Sequence, residues 1–501
     1  MLKKIGEVGG LTLISRVLGL VRDLAFAAFF GASGSLDAFL VAFKIPNFFR
    51  RVFAEGAFTQ ALMPNIAHQE SKSLQAKENL MTGVGFFLST TLFFITVLVC
   101  LYPEWLVKIF APGFLTKPDK FLLTSQILVI TFPYLFLVSL VALLSALLNY
   151  HNKFFPGAFS PILLNISFIL FCFLGASYFN PPIMALAWAL LLGGIAQLLL
   201  IRFNARFVVY RLWWGGWRHF KEVREVLIMM IPALFGVMVV QVNLMVDMLI
   251  ASFLQDGSLS WLYYADRLVE FPVGIFGIAL ATVLMPQLSR FAAQNQNNEF
   301  SKELTWGGKL AIIIGIPAVL GLVLVGSDAV SIIFERGAFS ASDTHKTYLA
   351  LVAYALGIPA FILIKIYTSA FYAQKRIKIP VIAAAISCIS NIILNLIFVQ
   401  FIDYAGLALA TSLAAWVNVA WLYVHIRSSV QSITKKEGTA ILFGNTVLCL
   451  VVFCYLFFIG SPEHTVFKVA YLVGAVGIGV LSYFAIIYIL DRRFFLYLIR
   501  K

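Results

Sequence analysis

Thirteen ionisable side chains interrupt stretches of this sequence that are otherwise apolar enough to cross a bilayer. They are Arg16, Arg22, Lys44, Arg50, Arg51, Arg267 and Lys365, with Asp23, Asp37, Glu55, Asp247, Asp266 and Glu270. A charge facing lipid at mid-bilayer costs about 2.5–3.5 kcal/mol on insertion scales. So many together must line a hydrated cavity or pair with one another. At about 100° per residue, Asp37, Lys44, Arg51 and Glu55 share a helical stripe roughly 40° wide, and Pro46 is expected to kink the helix between them. Arg50 points elsewhere. Arg267 and Glu270 stand on neighbouring turns of one face. Guanidinium forks bind phosphate oxygens bidentately and keep their charge, so a cavity of several arginines suits a diphosphate. Structural ion pairing is the competing reading for Arg51 with Glu55 and for Arg267 with Glu270. It is weaker for Arg16, Arg22 and Arg50, where local carboxylates run out.

A second polar set has different chemistry. Asp247 follows Asn243 by one turn, Ser387, Asn391 and Asn395 recur every fourth residue, and Thr411 and Ser412 lie further on. One carboxylate with amide and hydroxyl oxygens could hold sodium, or Asp247 could exchange a proton. Interhelical hydrogen bonding explains the same residues equally simply. The five cysteines fall inside apolar spans without metal-ligand spacing and read as packing residues. No HExxH, Walker A or G-x-S-x-G motif is present. Without an ATPase motor, uphill work would have to come from an ion gradient or the membrane potential.

The elements that must position these residues are membrane helices. The 501-residue chain is 61% hydrophobic and 12% charged, with a mean hydropathy of +0.93, where soluble domains carry about 25% charged residues. A water-soluble enzyme and a disordered chain are both excluded. The sequence predicts an all-α polytopic protein of about fourteen spans, each of about 20 apolar residues. The least apolar, at about 9–32, 35–66 and 260–291, carry most of the charges above. Lys and Arg outnumber Asp and Glu by 37 to 23, a formal +14. Outside the spans roughly 24 cations fall on the side of the two termini and roughly 6 on the other, which places both termini in the cytoplasm. That distribution favours membrane topology over nucleic-acid binding, and no nucleic-acid partner is expected.

An internal repeat divides the chain. LVITFPYLFL and NYHNKFFP, within 128–156, are echoed by YALGIPAFIL and AQKRIKIP, within 354–380, while ALMPNIA at 61–67 is echoed by VLMPQLS at 283–289. The expected organisation is a six-helix lobe over 1–204, a basic cytoplasmic linker over 205–223, a second six-helix lobe over 224–428, and two extra helices over 429–501. Parallel repeats of this kind are a transporter signature, with substrate bound between the halves. Other readings stay open: export of a polyprenyl-linked oligosaccharide or a cationic drug, an intramembrane polyprenyl-diphosphate transferase, or a scaffold for cell-wall enzymes. No clustered Asp pair such as DDxxD supports the transferase, and the arginines disfavour a cationic cargo.

Several stretches carry a family resemblance. The run 9–65, with SRVLGLVRD, GSLDAF, NFFRRVFAEG and ALMPN, resembles the opening of the MurJ (MviN) lipid II flippases, in the multidrug/oligosaccharidyl-lipid/polysaccharide exporter superfamily. SWLYYADRLVEFPVGIFGIALATVLMPQLS at 260–289, FERGAFSASDT and FYAQKRIKIP are similar to that family too, and the likeness spans essentially the whole chain. It implies a fourteen-helix monomer of the bacterial inner membrane. Such a protein moves lipid II, the undecaprenyl-diphosphate-linked peptidoglycan precursor, to the periplasmic leaflet by alternating access. Carried over by motif, the headgroup site comprises Arg16, Arg22, Asp37, Arg50, Arg51, Glu55 and Arg267, to which the local pairing adds Glu270. The extra C-terminal helices would hold the lipid tail. The family's sodium site corresponds to Asp247, Asn391, Asn395 and Thr411, with asparagine at 395 where a carboxylate is expected. Partners implied are lipid II, membrane lipids and cell-wall synthesis enzymes, with no cofactor beyond a coupling sodium ion or proton.

Overall fold

The computed structural model describes residues 2–53, 57–205, 215–460 and 465–499. Among the described residues every regular element is a helix and there is no strand. The chain divides into two compact units, Met1–Ser260 and Trp261–Lys501. The division falls after the seventh span, later than the basic linker, because that span packs on helices of the first unit.

In chain order the first unit contains α1 (Leu2–Phe30), α2 (Gly34–Phe53), α3 (Ala57–Lys72), α4 (Leu74–Leu101), α5 (Pro103–Phe110), α6 (Pro118–Thr131), α7 (Pro133–Tyr150), α8 (Phe155–Leu170), α9 (Met184–Ala205) and α10 (Phe220–Ala251). Proline opens α5, α6 and α7 at the first helical turn, where its missing N–H removes no hydrogen bond. Pro46 sits inside α2 and leaves the Ala42 carbonyl without its helical donor. The hydroxyl of Thr131, at the end of α6, donates to that carbonyl at 3.2 Å. An apolar core joins α3, α4, α7, α9 and α10 through Leu62, Ile66, Leu80, Leu144, Ile201 and Val226. At the described end of the linker, Gly216 meets α4 so closely that a Cβ would lie 2.4 Å from that of Phe86. The exposed Trp217 stacks on Arg218 beside it, an arrangement suited to the headgroup level.

The helix α11 (Ser258–Pro272) begins in the first unit and continues into the second. It is followed by α12 (Ile278–Ala293), α13 (Asn297–Phe334), α14 (Ala341–Ala355), α15 (Ile358–Ala373), α16 (Lys378–Ile402), α17 (Tyr404–Ile426), α18 (Lys435–Ile459), α19 (Thr465–Leu490) and α20 (Arg492–Ile499). A π-helical turn over Val273–Gly277 follows Pro272 and links α11 to α12 without a break. Such turns accommodate a disturbed hydrogen-bond ladder and recur at functional sites. Helices α16 and α17 form a tight hairpin, and Gly406 permits it, since a Cβ there would lie 2.6 Å from the Phe398 carbonyl. A core of Ile313, Ile441, Leu448, Tyr483, Phe494 and Leu498 binds α13 to α18, α19 and α20.

Eleven helical segments of the described residues are long and apolar enough to cross a membrane. The remaining expected spans fall on α1, α2 with α3, and α10. Charge keeps the first two out of the eleven, although α1, at 29 residues, reaches about 43 Å and is long enough. Many large apolar side chains stay exposed, among them Phe93, Leu199, Phe457, Phe458 and Leu481, as a lipid-facing surface requires.

Candidate functional site

Arg22 is the most enclosed of the expected arginines, with 9% of its surface exposed. Its Nε and Nη2 donate to one Asp23 oxygen at 2.9 and 2.8 Å, and its Nη1 donates to Asn165 Oδ1 at 3.1 Å. The guanidinium lies over the rings of Phe26 and Phe168, at 5.6 and 5.8 Å. Asn165 is itself fixed, since its Nδ2 donates to the Ser15 carbonyl of α1 at 3.0 Å. One correction follows: Arg22 does not lack a local carboxylate. Adjacent helical residues point about 100° apart and are not natural pairs, but the long arginine side chain folds back to reach Asp23.

Asp37 is held differently. It is 1% exposed, and four donors meet its two oxygens. Lys120 Nζ and the Gly257 N–H reach Oδ2 at 3.0 and 2.7 Å, while the Ser260 N–H and hydroxyl reach Oδ1 at 2.9 and 2.7 Å. Gly257 has φ of +94°, a conformation glycine adopts without strain. Lys120 also contacts Asp256 at 2.9 Å, and Lys117 contacts the same oxygen at 2.8 Å. Beneath this turn the Gly113 N–H donates to Ser252 Oγ at 3.0 Å. A buried carboxylate with its lone pairs so occupied is a knot between α2, α6 and the start of the helix at Ser258–Pro272, not an open ligand contact.

The other arginines are more accessible. Arg16 is exposed and has no ion-pair or hydrogen-bond partner among the described residues. Lys44 and Arg50 are half-buried and Arg51 is exposed. Glu55 lies outside the described residues. In the second unit Arg267 donates to Glu270 at 2.7 Å and packs over Tyr263 at 5.1 Å. The pair predicted from spacing is therefore present, but its partners keep 32% and 58% of their side-chain surface. An ion pair so exposed contributes little to stability and leaves the arginine available. The start of α11 is fixed by Trp261, whose Nε1 donates to Asp343 at 2.9 Å under the Lys346 ammonium. Asp343 also closes the capping box of α14 with Ser340, which gives the FERGAFSASDT stretch a structural role.

The second polar set is joined in part. Asn395 Nδ2 donates to Asn391 Oδ1 at 2.8 Å, Asn391 Nδ2 donates to Thr411 Oγ1 at 3.2 Å, and Thr411 donates to the Leu407 carbonyl at 2.9 Å. This chain links α16 to α17. Asp247 lies half-buried on α10 in the first unit. Among the described residues no three His, Cys, Asp or Glu side chains are grouped to hold a metal ion.

Residues 26–478 match the family model described as Lipid II flippase MurJ. The chain belongs to the MurJ lipid II flippase family. It is 38% identical over 508 aligned positions to the probable lipid II flippase MurJ of Vibrio cholerae serotype O1, covering 97% of this chain and 95% of that protein. It is 36% identical to the lipid II flippase MurJ of Burkholderia cenocepacia, covering 84% and 82%. Among solved structures it matches a lipid II flippase MurJ in an inward closed conformation with a TM-score of 0.84, 29% identity and coverage of 97% and 99%. An inward-facing multidrug resistance MATE family transporter matches with a TM-score of 0.67 at 12% identity, which shows shared fold alone.

Sequence reasoning missed Asn165, Lys120, Asp256 and Ser260, all of which hold the expected MurJ-family positions in place. Lys120 had the appearance of a loop cation because it stands in the first turn of α6, yet it is 9% exposed. Burial pushes the Asp256 carboxyl upward, but the Lys117 and Lys120 ammonium groups outweigh that and hold it below the ordinary range. A depressed native pKa adds stability that is complete above the unfolded value of about 3.9 and is lost as pH falls through the native value. Asp256→Asn should lower the thermal midpoint of the detergent-solubilised protein near neutral pH. The gap from the parent protein should narrow as pH falls below about 3.9. A gap that stays constant with pH contradicts the ion-pair account.

Proposed function

We propose that this chain translocates lipid II across the bacterial inner membrane by receiving its diphosphate at Arg16, Arg22, Arg50, Arg51 and Arg267. It is a transporter, not an enzyme. The observation that carries the reading is the setting of Arg22: a buried guanidinium between α1 and α8 with one edge on a carboxylate and another on the neutral Asn165 amide. Replacing that amide oxygen with a phosphate oxygen converts a neutral hydrogen bond into a charge-assisted one, about twice as strong. Asp23 and the two phenylalanine rings keep the guanidinium oriented, so little side-chain entropy is lost when the headgroup arrives.

The finer architecture belongs to the same proposal. Fourteen spans, two six-helix lobes and two extra helices for the lipid tail account for α1, α2 and α10 as membrane-crossing elements, with both termini cytoplasmic and the chain acting as a monomer. Alternate opening of the lobes carries the headgroup while the polyprenyl tail stays in lipid. A cytoplasm-negative potential is worth about 2.3 kcal/mol per charge per 100 mV and favours outward movement of an anionic lipid. Ion binding resets the cycle. We assign a sodium ion to the polar residues Asp247, Asn391, Asn395 and Thr411. Sodium binding would replace hydrogen bonds of the Asn391–Thr411 chain with oxygen contacts.

Two outcomes are expected. Arg22→Gln should insert normally in the membrane yet reduce lipid II binding by one to two orders of magnitude, the loss on the order of 1.5–3 kcal/mol of a charged hydrogen bond. It should also fail to support growth in cells depleted of the parent protein. Growth at the parent rate on Arg22→Gln would overturn the arginine site. Asp247→Asn should abolish any sodium dependence of lipid II binding in purified protein. An unchanged sodium response would return Asp247 to a packing role.

A further inference from the structure

Residues of α18 and α20 line an open cavity of about 340 Å3 that none of the headgroup residues touches. Its lining includes two acids, Glu437 and Asp491, and two cations, Lys436 and Arg493. Of the acids, Glu437 is ion-paired and Asp491 caps a helix. Both Glu437 oxygens accept from Lys309 Nζ, at 2.7 and 2.8 Å, and Glu437 also accepts from the Thr434 N–H in the capping box of α18. Asp491 is buried and accepts from the Phe494 N–H at the first turn of α20, at 3.1 Å. The cations are not engaged: neither the Lys436 nor the Arg493 side chain has an ion-pair or hydrogen-bond partner among the described residues. Lys309 balances Glu437 while Asp491 offsets one of the two lining cations, so Lys436 and Arg493, from separate helices, converge on a cavity with a net positive charge.

The elements around the cavity fix its depth. α20 is amphipathic: Phe494 and Leu498 are buried in the core of the second unit while Arg492 and Arg493 are exposed. The indole of Trp306 donates to the Leu498 carbonyl at 3.4 Å and ties α20 to α13. An amphipathic helix with paired arginines at the end of a long apolar helix lies in the interface plane, where anionic phospholipid phosphates are concentrated. Basic pockets at the ends of membrane helices take such headgroups.

We infer that Lys436 and Arg493 form a binding site for the phosphate of an anionic phospholipid, separate from the arginines that receive the transported headgroup. Arg493 supplies a planar fork to two phosphate oxygens and Lys436 a point charge to the same group. The Tyr497 ring, which also lines the cavity, offers an apolar wall for the glycerol end of the headgroup. The bound lipid would hold α20 against the junction of α13 and α18, where the Lys309–Glu437 pair is 9% and 13% exposed.

The test is hydrogen exchange of the full chain in nanodiscs of phosphatidylethanolamine with increasing phosphatidylglycerol, read in peptides covering 434–440 and 491–498. The parent protein should show slower exchange there as phosphatidylglycerol rises. Lys436→Gln with Arg493→Gln should need on the order of tenfold more anionic lipid for the same protection. Both side chains are exposed, so the double variant should keep the parent thermal midpoint, and Lys436→Arg should keep the protection. Exchange that ignores phosphatidylglycerol, or protection retained in the double variant, overturns the site. Equal protection by millimolar inorganic phosphate in phosphatidylethanolamine nanodiscs would identify a soluble anion as the occupant and overturn the lipid assignment.

Discussion

A guanidinium or carboxylate carried into hydrocarbon costs several kcal/mol unless water or a partner meets it, and the first two helices of this chain carry several. The described structure meets that constraint in two ways. Arg22 and Asp37 are enclosed and furnished with partners from distant parts of the chain: Asn165 from α8, Lys120 from α6, Ser260 from the first turn of α11. Arg16 and Arg51 are exposed, and Arg267 keeps 32% of its side-chain surface beside Glu270. Removing one partner of an enclosed pair would strand a buried charge, so α1 and α2 depend on α6 and α8 for more than apolar packing. The same expense explains why these helices are the least lipid-like of the set, and why their charges call for a functional account.

The apolar spans were plainly legible in the sequence. Runs such as 80–102 and 438–460 coincide with α4 and α18 to within a turn or two, because a bilayer admits few alternatives to a long apolar helix. Contacts within one helix were legible as well: Arg267 with Glu270 and Asn391 with Asn395 follow from a spacing of three or four residues. Partners on other helices were not. Nothing local to Asp37 announces that Lys120, Gly257 and Ser260 will converge on it, since helical periodicity reports which face a residue occupies and not what lies opposite. Thr131 is a similar case. Its role as donor to the Ala42 carbonyl exists only because Pro46 vacates that position in a separate helix.

The excess of positive charge separates into groups with different work. Many cations lie at helix ends, and Lys436 and Arg493 among them converge on a cavity of their own. Within α1, α2 and α11 the arginines are fewer and set among aromatic rings: Phe26 and Phe168 for Arg22, Tyr263 for Arg267. Aromatic faces let a guanidinium stay charged where hydration is poor. That property suits the binding of an anionic lipid headgroup.

A working flippase determines which leaflet presents lipid II. The most direct measurement is leaflet-resolved accessibility of lipid II in cells acutely depleted of the protein, using a membrane-impermeant probe of the outer surface. Flipping by this chain predicts that outer-leaflet lipid II falls within a fraction of a generation while the inner-leaflet pool rises. Outer-leaflet lipid II that holds at its starting level after the protein is gone would contradict the account.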